Sequence, residues 1–231
     1  MDYIRLSPRL QMVADFVPPC ACVADIGTDH GYLPVWLLQN GVIQSAIAAD
    51  IHAGPLANAR QSAAAYDLEE HFRFVQADGL QFSGVQAADV ITIAGMGGET
   101  ICAILAAAPW LREGKQLVLQ PQSKVPELTD WLWRNGFTIE DAALCRDAGK
   151  RYLVLRVLGQ RAVQTYTVEQ LLLRRRDPLL TEHLKEEIRR QTRARAGMAH
   201  AKQTPAAELA ALDARLSQLQ ACLKEVQTWQ S

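Results

Sequence analysis

Residues 23–34 read VADIGTDHGYLP. An apolar run over 22–26 carries Asp25 near its end, breaks at Gly27 and resumes at Leu33 as an apolar helical pattern, the sequence form of a strand, a tight loop and a helix. Loops of this kind hold nucleotide-like ligands, because glycine admits close backbone approach and the N–H groups that open the next helix are unpaired. The spacing is D-x-G-x-D-x-G, from Asp25 through Gly27 and Asp29 to Gly31. It departs from the dinucleotide fingerprint G-x-G-x-x-G, since a carboxylate stands two residues after Gly27. Asp29 would repel a pyrophosphate but not a ligand with a positive centre. S-adenosylmethionine is such a ligand, with a cationic sulfonium and an adenosine half like that of NAD. A turn that holds no ligand is the competing reading of this loop taken alone.

The alternation continues outward. A helix is expected over 6–17, with Ser7 as its cap, Pro8 at the first helical position and Leu10, Val13, Ala14 and Val17 on one face. Beyond the loop, a helix over 33–38 stops at Asn40 and Gly41, and a strand over 45–49 ends in Asp50, some 20 residues past the glycine turn. From there an acidic side chain, with Ile51 beside it, hydrogen-bonds a ribose diol; capping of the next helix is the alternative. A third strand over 72–76 leads to Asp78 and Gly79, either a plain turn or an acceptor for an adenine amino group. The fourth, DVITI over 89–93, is continuously apolar, as in a sheet buried on both faces. It runs into Ala94, Gly95, Met96, Gly97 and Gly98, whose three glycines imply close approach to something bulky at the ligand-binding edge. A fifth strand over 116–119 ends at Gln120 and Pro121, a helix over 126–135 stops at Gly136, and runs over 137–144 and 152–158 flank a turn. The expected fold is therefore α/β: a Rossmann-like, mostly parallel seven-stranded sheet with an antiparallel edge hairpin, occupying residues 1–160.

From about Thr167 the pattern is helical only. Leu209, Leu212, Leu216, Leu219, Leu223 and Val226 recur three and four apart, a coiled-coil seam. An antiparallel helical hairpin over 161–231 is expected, turning near residues 197–204, with Pro178 starting or kinking a helix. The net charge of −1 excludes a uniformly basic nucleic-acid coat, but it is segregated. Residues 1–160 carry 12 Lys+Arg against 17 Asp+Glu, and 161–231 carry 12 against 8. Arg174, Arg175, Arg189, Arg190 and Arg193 give the tail either a solvated face or a phosphate-binding one. The five cysteines lack metal-ligand spacing, so reduced thiols and no metal are expected. No run approaches the ~20 apolar residues that cross a bilayer, and no signal peptide precedes the first motif. A cytoplasmic protein, monomeric or weakly dimeric, is the expectation.

Taken together, VADIGTDHGYLP, AIAADIHAGP, QADGL, ITIAGMGG, LVLQP and DAGKRYLVLRV resemble, in order, the motifs of the bacterial TrmK family, the tRNA (adenine(22)-N(1))-methyltransferases. The resemblance covers residues 1–160 by motif and the tail by architecture. It implies a class I methyltransferase that uses S-adenosyl-L-methionine and acts on tRNA at N1 of an adenosine in the D-loop. Asp25, Gly27, Asp50, Ile51, Asp78, Gly79, Ala94, Gly95 and Met96 would hold the cofactor. Gly97, Gly98, Gln120 and Pro121, with the five arginines above, would meet the RNA. Adenine N1 has a free lone pair, so the reaction needs alignment and tolerance of developing charge; Asp29 is expected to supply the latter, with His30 and Tyr32 orienting the base. The sequence departs from the family pattern at Gly31 and Gln122. Two other readings stay open: a methyltransferase for another RNA base or a small molecule, and a non-catalytic binding protein built on the coiled coil.

Overall fold

The computed structural model describes residues 3–162, 165–200 and 206–229. It separates into two compact units, Met1–Thr165 and Tyr166–Ser231.

In the first unit a helix, α1 (Pro8–Phe16), precedes β1 (Cys22–Ile26), α2 (Tyr32–Gln39), β2 (Ser45–Asp50), α3 (Ala53–Ala65) and β3 (Phe72–Gln76). There follow β4 (Val90–Gly97), α4 (Gly98–Ala106), β5 (Gln116–Ser123), α5 (Val125–Arg134), β6 (Thr138–Asp147) and β7 (Lys150–Leu158). The seven strands form one sheet in the order β3-β2-β1-β4-β5-β7-β6. β1 to β5 pair in parallel and β7 runs antiparallel to both β5 and β6. This is the expected architecture, with one difference in extent: β4 and β5 run on through the glycine-rich segment and through Gln120 and Pro121. Pairing of Met96 with Pro121 and of Gly97 with Ser123 keeps the strands together past a register shift between Ala94 and Met96. A bulge of that kind re-aims a strand end and is common beside functional sites.

Alternation along the strands assigns the two faces. Val23, Val90 and Val118 share one face with Leu33 and Leu37 of α2 and with Val13, Ala14 and Phe16 of α1. Ile26, Ile91, Ile93, Leu117 and Leu119 are fully buried, as are Ile101 and Leu105 of α4 and Leu128 and Leu132 of α5. Each such side chain stabilises the fold by about 1.5–3 kcal/mol. α1 begins as its sequence predicts, with Ser7 Oγ accepting from the Leu10 N–H and Pro8 in the first turn. Its N-terminus is also held to β6, where Asp147 Oδ2 accepts from the Arg9 N–H at 3.3 Å.

The second unit contains α6 (Val168–Arg175), α7 (Leu180–His200) and α8 (Ala206–Trp229). α7 and α8 are the two long helices expected, with the shorter α6 before them. Pro178 cannot continue α6, which ends on Arg176 in the left-handed region (φ +55°), and a new helix starts at Leu180. Of the turn expected near residues 197–204, the first part is helical instead, because α7 continues to His200, and the rest lies outside the described residues. α7 and α8 pack on each other, with Leu216, Leu219 and Val226 of the predicted seam buried and Arg195 paired to Asp213 across the two helices. A single carboxylate ties all three helices: Glu169 of α6 accepts from Arg215 of α8 at 2.6 Å and stands 3.9 Å from His183 Nε2 of α7. Burial would push the Glu169 carboxyl up, but His183 and Arg215 outweigh it and hold the group at about 2.

Cys20, Cys22, Cys102, Cys145 and Cys222 stand as thiols, outside any disulfide. Among the described residues no helix is long and apolar enough to cross a membrane, and no cluster of His, Cys, Asp or Glu is fit to hold a metal ion.

Candidate active site

The strand order reverses between β1 and β4, and in open α/β sheets the ligand crevice lies at the carboxyl edge of such a switch point. Gly27 leaves β1 there with φ +77°. Its N–H and that of Thr28 both donate to the Ala49 carbonyl, at 2.8 and 3.1 Å, which ties the loop to β2. A Cβ on Gly27 would collide with the methyl end of the Met96 side chain, which therefore lies directly over this glycine. Gly31, the N-cap of α2, has φ +65° and packs against Ala59, where a Cβ would come within 3.0 Å of that residue's own. The departure at Gly31 is therefore matched to this chain's own helix packing.

Asp25 is buried at the end of β1, where Oδ1 accepts from Thr92 Oγ1 of β4 at 2.7 Å. Burial raises its carboxyl above the usual value, and hydrogen bonds from Thr92 and Thr28 only partly oppose this. Thr28 lies beside it in the loop and is itself buried.

Arg9, Asp25, Thr28, Asp29, Tyr32 and Ala94 are among the residues lining a cavity of about 120 Å³ at this edge. It is well below the roughly 300–1,000 Å³ that encloses a whole drug-sized ligand. The Asp29 side chain is 75% exposed and 3.6 Å from His30, whose ring stacks on that of Tyr32 at 5.1 Å. The three residues chosen from sequence as catalytic are therefore adjacent and open to an incoming partner.

The remaining sequence candidates spread along the same edge. Asp50 ends β2 and accepts from the His52 N–H at 2.7 Å, so it closes a turn before α3, while its neighbour Ile51 is 52% exposed. Asp78 is exposed after β3, and Gly79 (φ +55°) packs against Ile104 of α4. Ala94, Gly95 and Met96 form the bulged end of β4. Gly97 caps α4. Gly98 is buried where α4 meets the Lys124 carbonyl, which a Cβ would strike, so close packing accounts for this glycine without an RNA contact. Gln120 also differs from its predicted role. It is fully buried: its Oε1 accepts from Arg9 Nη1 at 2.8 Å and from the Gly95 N–H at 3.2 Å, and its Nε2 donates to the Pro121 carbonyl. Its amide is consumed internally because Gln120 lies on the sheet face that α1 covers, and Pro121 is buried beside it. Gln122 is exposed.

Three residues of this edge escaped sequence reasoning. Thr92 could have been singled out as a polar residue inside DVITI, and Thr28 as the hydroxyl between Gly27 and Asp29. Arg9 carried no signal beyond being basic in an acidic segment. In the second unit, Arg174 lies over the Tyr166 ring at 4.5 Å, Arg190 pairs with Glu187 at 2.6 Å, and Arg189 reaches the Lys185 carbonyl. Arg174, Arg175, Arg189, Arg190 and Arg193 are all exposed.

Comparison with known proteins places this edge in context. A family model described as "Methyltransferase domain" matches residues 6–155. The chain is similar to the tRNA (adenine(22)-N(1))-methyltransferase of Bacillus subtilis (strain 168), 39% identical over 156 residues that span 67% of this chain and 66% of that protein. Its structure resembles that of the B. subtilis M1A22 tRNA methyltransferase TrmK, with a TM-score of 0.79 and 28% identity over 95% of this chain and 99% of the other. It also resembles Streptococcus pneumoniae Sp1610 in complex with S-adenosyl-L-methionine, with a TM-score of 0.77 and 30% identity over 95% and 100% of the two chains.

Proposed function

The chain belongs to the TrmK family of methyltransferases, and from that premise we propose that it methylates N1 of adenosine 22 in tRNA with S-adenosyl-L-methionine as donor. The observation that carries this reading is the edge at the β1–β4 switch point, where Asp25, Gly27 and Thr28 line a cavity beside the exposed Asp29. The donor set suits this cofactor. Asp50 ends β2 at a ribose-binding position, Asp78 follows β3 as an acceptor for an adenine amino group, and Gly27 admits close approach.

When bound, S-adenosyl-L-methionine supplies a methyl group activated by a sulfonium. The chain's task is alignment, because adenine N1 attacks through a free lone pair and no proton has to leave first. Asp29 accepts from the exocyclic amine of the base and its negative charge offsets the positive charge that moves onto the ring. The stacked pair of His30 and Tyr32 gives the base a flat surface. N1 lies on the Watson–Crick edge, so the adenosine must be unpaired on arrival. The arginines of the second unit bind tRNA phosphates and hold it by shape. The protein works in the cytoplasm as a monomer or weak dimer.

Incubation with isotopically labelled donor and bulk tRNA, followed by nucleoside mapping by mass spectrometry, tests this directly. 1-Methyladenosine at position 22 is expected. Label at another base, or only in small molecules, overturns it.

A further inference from the structure

The β6–β7 hairpin runs further towards the carboxyl edge of the sheet than its pairing with β5. β5 pairs with β7 only from Gln116 and Leu158 to Leu119 and Leu155, whereas β6 and β7 stay paired as far as Asp147 and Lys150. Residues 150–154 of β7 and their β6 partners therefore project past the last β5–β7 pair as a two-stranded ribbon. The turn at its tip has two residues, Ala148 at φ +47° and Gly149 at φ +77°, the left-handed pair that matches strand twist and keeps a hairpin tight. The ribbon flanks the cavity at Gly27, since Arg9 lines that cavity and its guanidinium carbon lies 5.8 Å from the centre of the Tyr152 ring.

The tip is basic inside an acidic segment. Residues 146–151 hold Arg146, Lys150 and Arg151 against the single carboxylate of Asp147, while residues 1–160 carry 12 Lys+Arg against 17 Asp+Glu. That carboxylate is engaged by α1: the Ser7 hydroxyl and the Arg9 N–H donate to it, and the Arg9 charge acts on it as well. Register decides where the cations stand, because residues directly opposite in an antiparallel pair share a face. Lys150 shares its face with Tyr152, and Arg146 and Arg151 stand side by side on the other. Like charges directly opposite one another cost stability, and an oxyanion placed at them offsets that cost. Arg146 and Lys150 are exposed.

We propose that this tip is the RNA-backbone grip of the first unit, with Lys150 on one face and the Arg146–Arg151 pair on the other taking phosphates next to the adenosine that is methylated, an assignment that rests on the tRNA reading above. Paired strands position cations more precisely than a loop does, so the ribbon sets the register of the RNA against the cavity as well as adding affinity.

The experiment uses the full chain and unmodified tRNA, with Lys150→Gln, Lys150→Arg and the double variant Arg146→Gln with Arg151→Gln. Equilibrium binding of tRNA is measured across a range of salt concentrations, and affinity for S-adenosyl-L-methionine by calorimetry on the same preparations. Lys150→Gln should weaken tRNA binding by about 3–10-fold and lower the salt slope by about one unit, the double variant should lower the slope by about two, and Lys150→Arg should keep both near wild type. Unchanged donor affinity shows that each variant is folded. A wild-type slope in either Lys150→Gln or the double variant, or a loss in Lys150→Arg equal to that in Lys150→Gln, overturns the grip and leaves the tRNA reading standing as long as wild type methylates tRNA. A parallel fall in donor affinity assigns the tip to folding and overturns the grip as well. Failure of wild type to bind tRNA overturns both.

Discussion

Thr92 on β4 donates a 2.7 Å hydrogen bond from Oγ1 to Oδ1 of Asp25 on β1, between residues paired in register. This bond helps hold a carboxyl group at the carboxyl edge of the sheet, where burial has raised its pKa from the usual 3.8. An acid whose pKa is higher folded than unfolded binds more protons in the folded state, so its contribution to stability is lost as pH rises from the unfolded towards the folded value.

Asp25→Asn removes that cost. Its thermal midpoint should exceed that of wild type at pH 7, with the gap closing as pH approaches 4. Thr92→Val acts oppositely, stripping the carboxyl of its donor and lowering stability by about 1–3 kcal/mol. Calorimetric melts of both variants at pH 4 and pH 7 check the pair of signs.

Glu169 has the reverse sign. Its pKa is held at about 2, against a usual 4.5, by His183 and Arg215. The resulting stability is fully present above pH 4.5 and is lost as pH falls from there towards 2. Glu169→Gln should destabilise the helical unit by about 2–4 kcal/mol at neutral pH, towards the low end of a buried pair because Arg215 is one-third exposed. Circular-dichroism melts should show wild type and variant converging near pH 2.

Asp29→Ala separates binding from turnover. The side chain is three-quarters exposed and has no part in the core, so affinity for S-adenosyl-L-methionine should stay within several-fold of wild type. Single-turnover methylation of tRNA should fall by about 100-fold or more if Asp29 supplies charge stabilisation in the transition state. A near-normal rate would remove it from the mechanism.

Charge reversal on α7, as Arg189→Glu with Arg190→Glu and Arg193→Glu, targets an exposed basic surface. Loss of tRNA affinity should be accompanied by a shallower salt dependence, by about one unit of slope for each phosphate contact removed. Donor affinity measured on the same protein should not move. A parallel fall in both would mean that α7 is needed for folding instead.

The alternation of apolar strand runs with helix patterns was enough to place all seven strands, because strand burial and helix amphipathicity are written as local periods. Ser7 and Pro8 marked the start of α1 for the same reason: a cap acts within one turn. Where the reading fell short, a partner distant in sequence had decided the outcome. The glycines after Ile93 look like a turn, yet pairing with β5 keeps them in β4 to Gly97. Gln120 looks like a ligand contact until α1 covers its face of the sheet. Arg9 stands 111 positions from Gln120, and no local pattern links them. The sequence by itself determined the sheet, its helices and the loop at Gly27. Only the tertiary structure decided which side chains that edge uses up internally and which it leaves open, because hydrogen bonds between remote residues depend on how strands and helices stack.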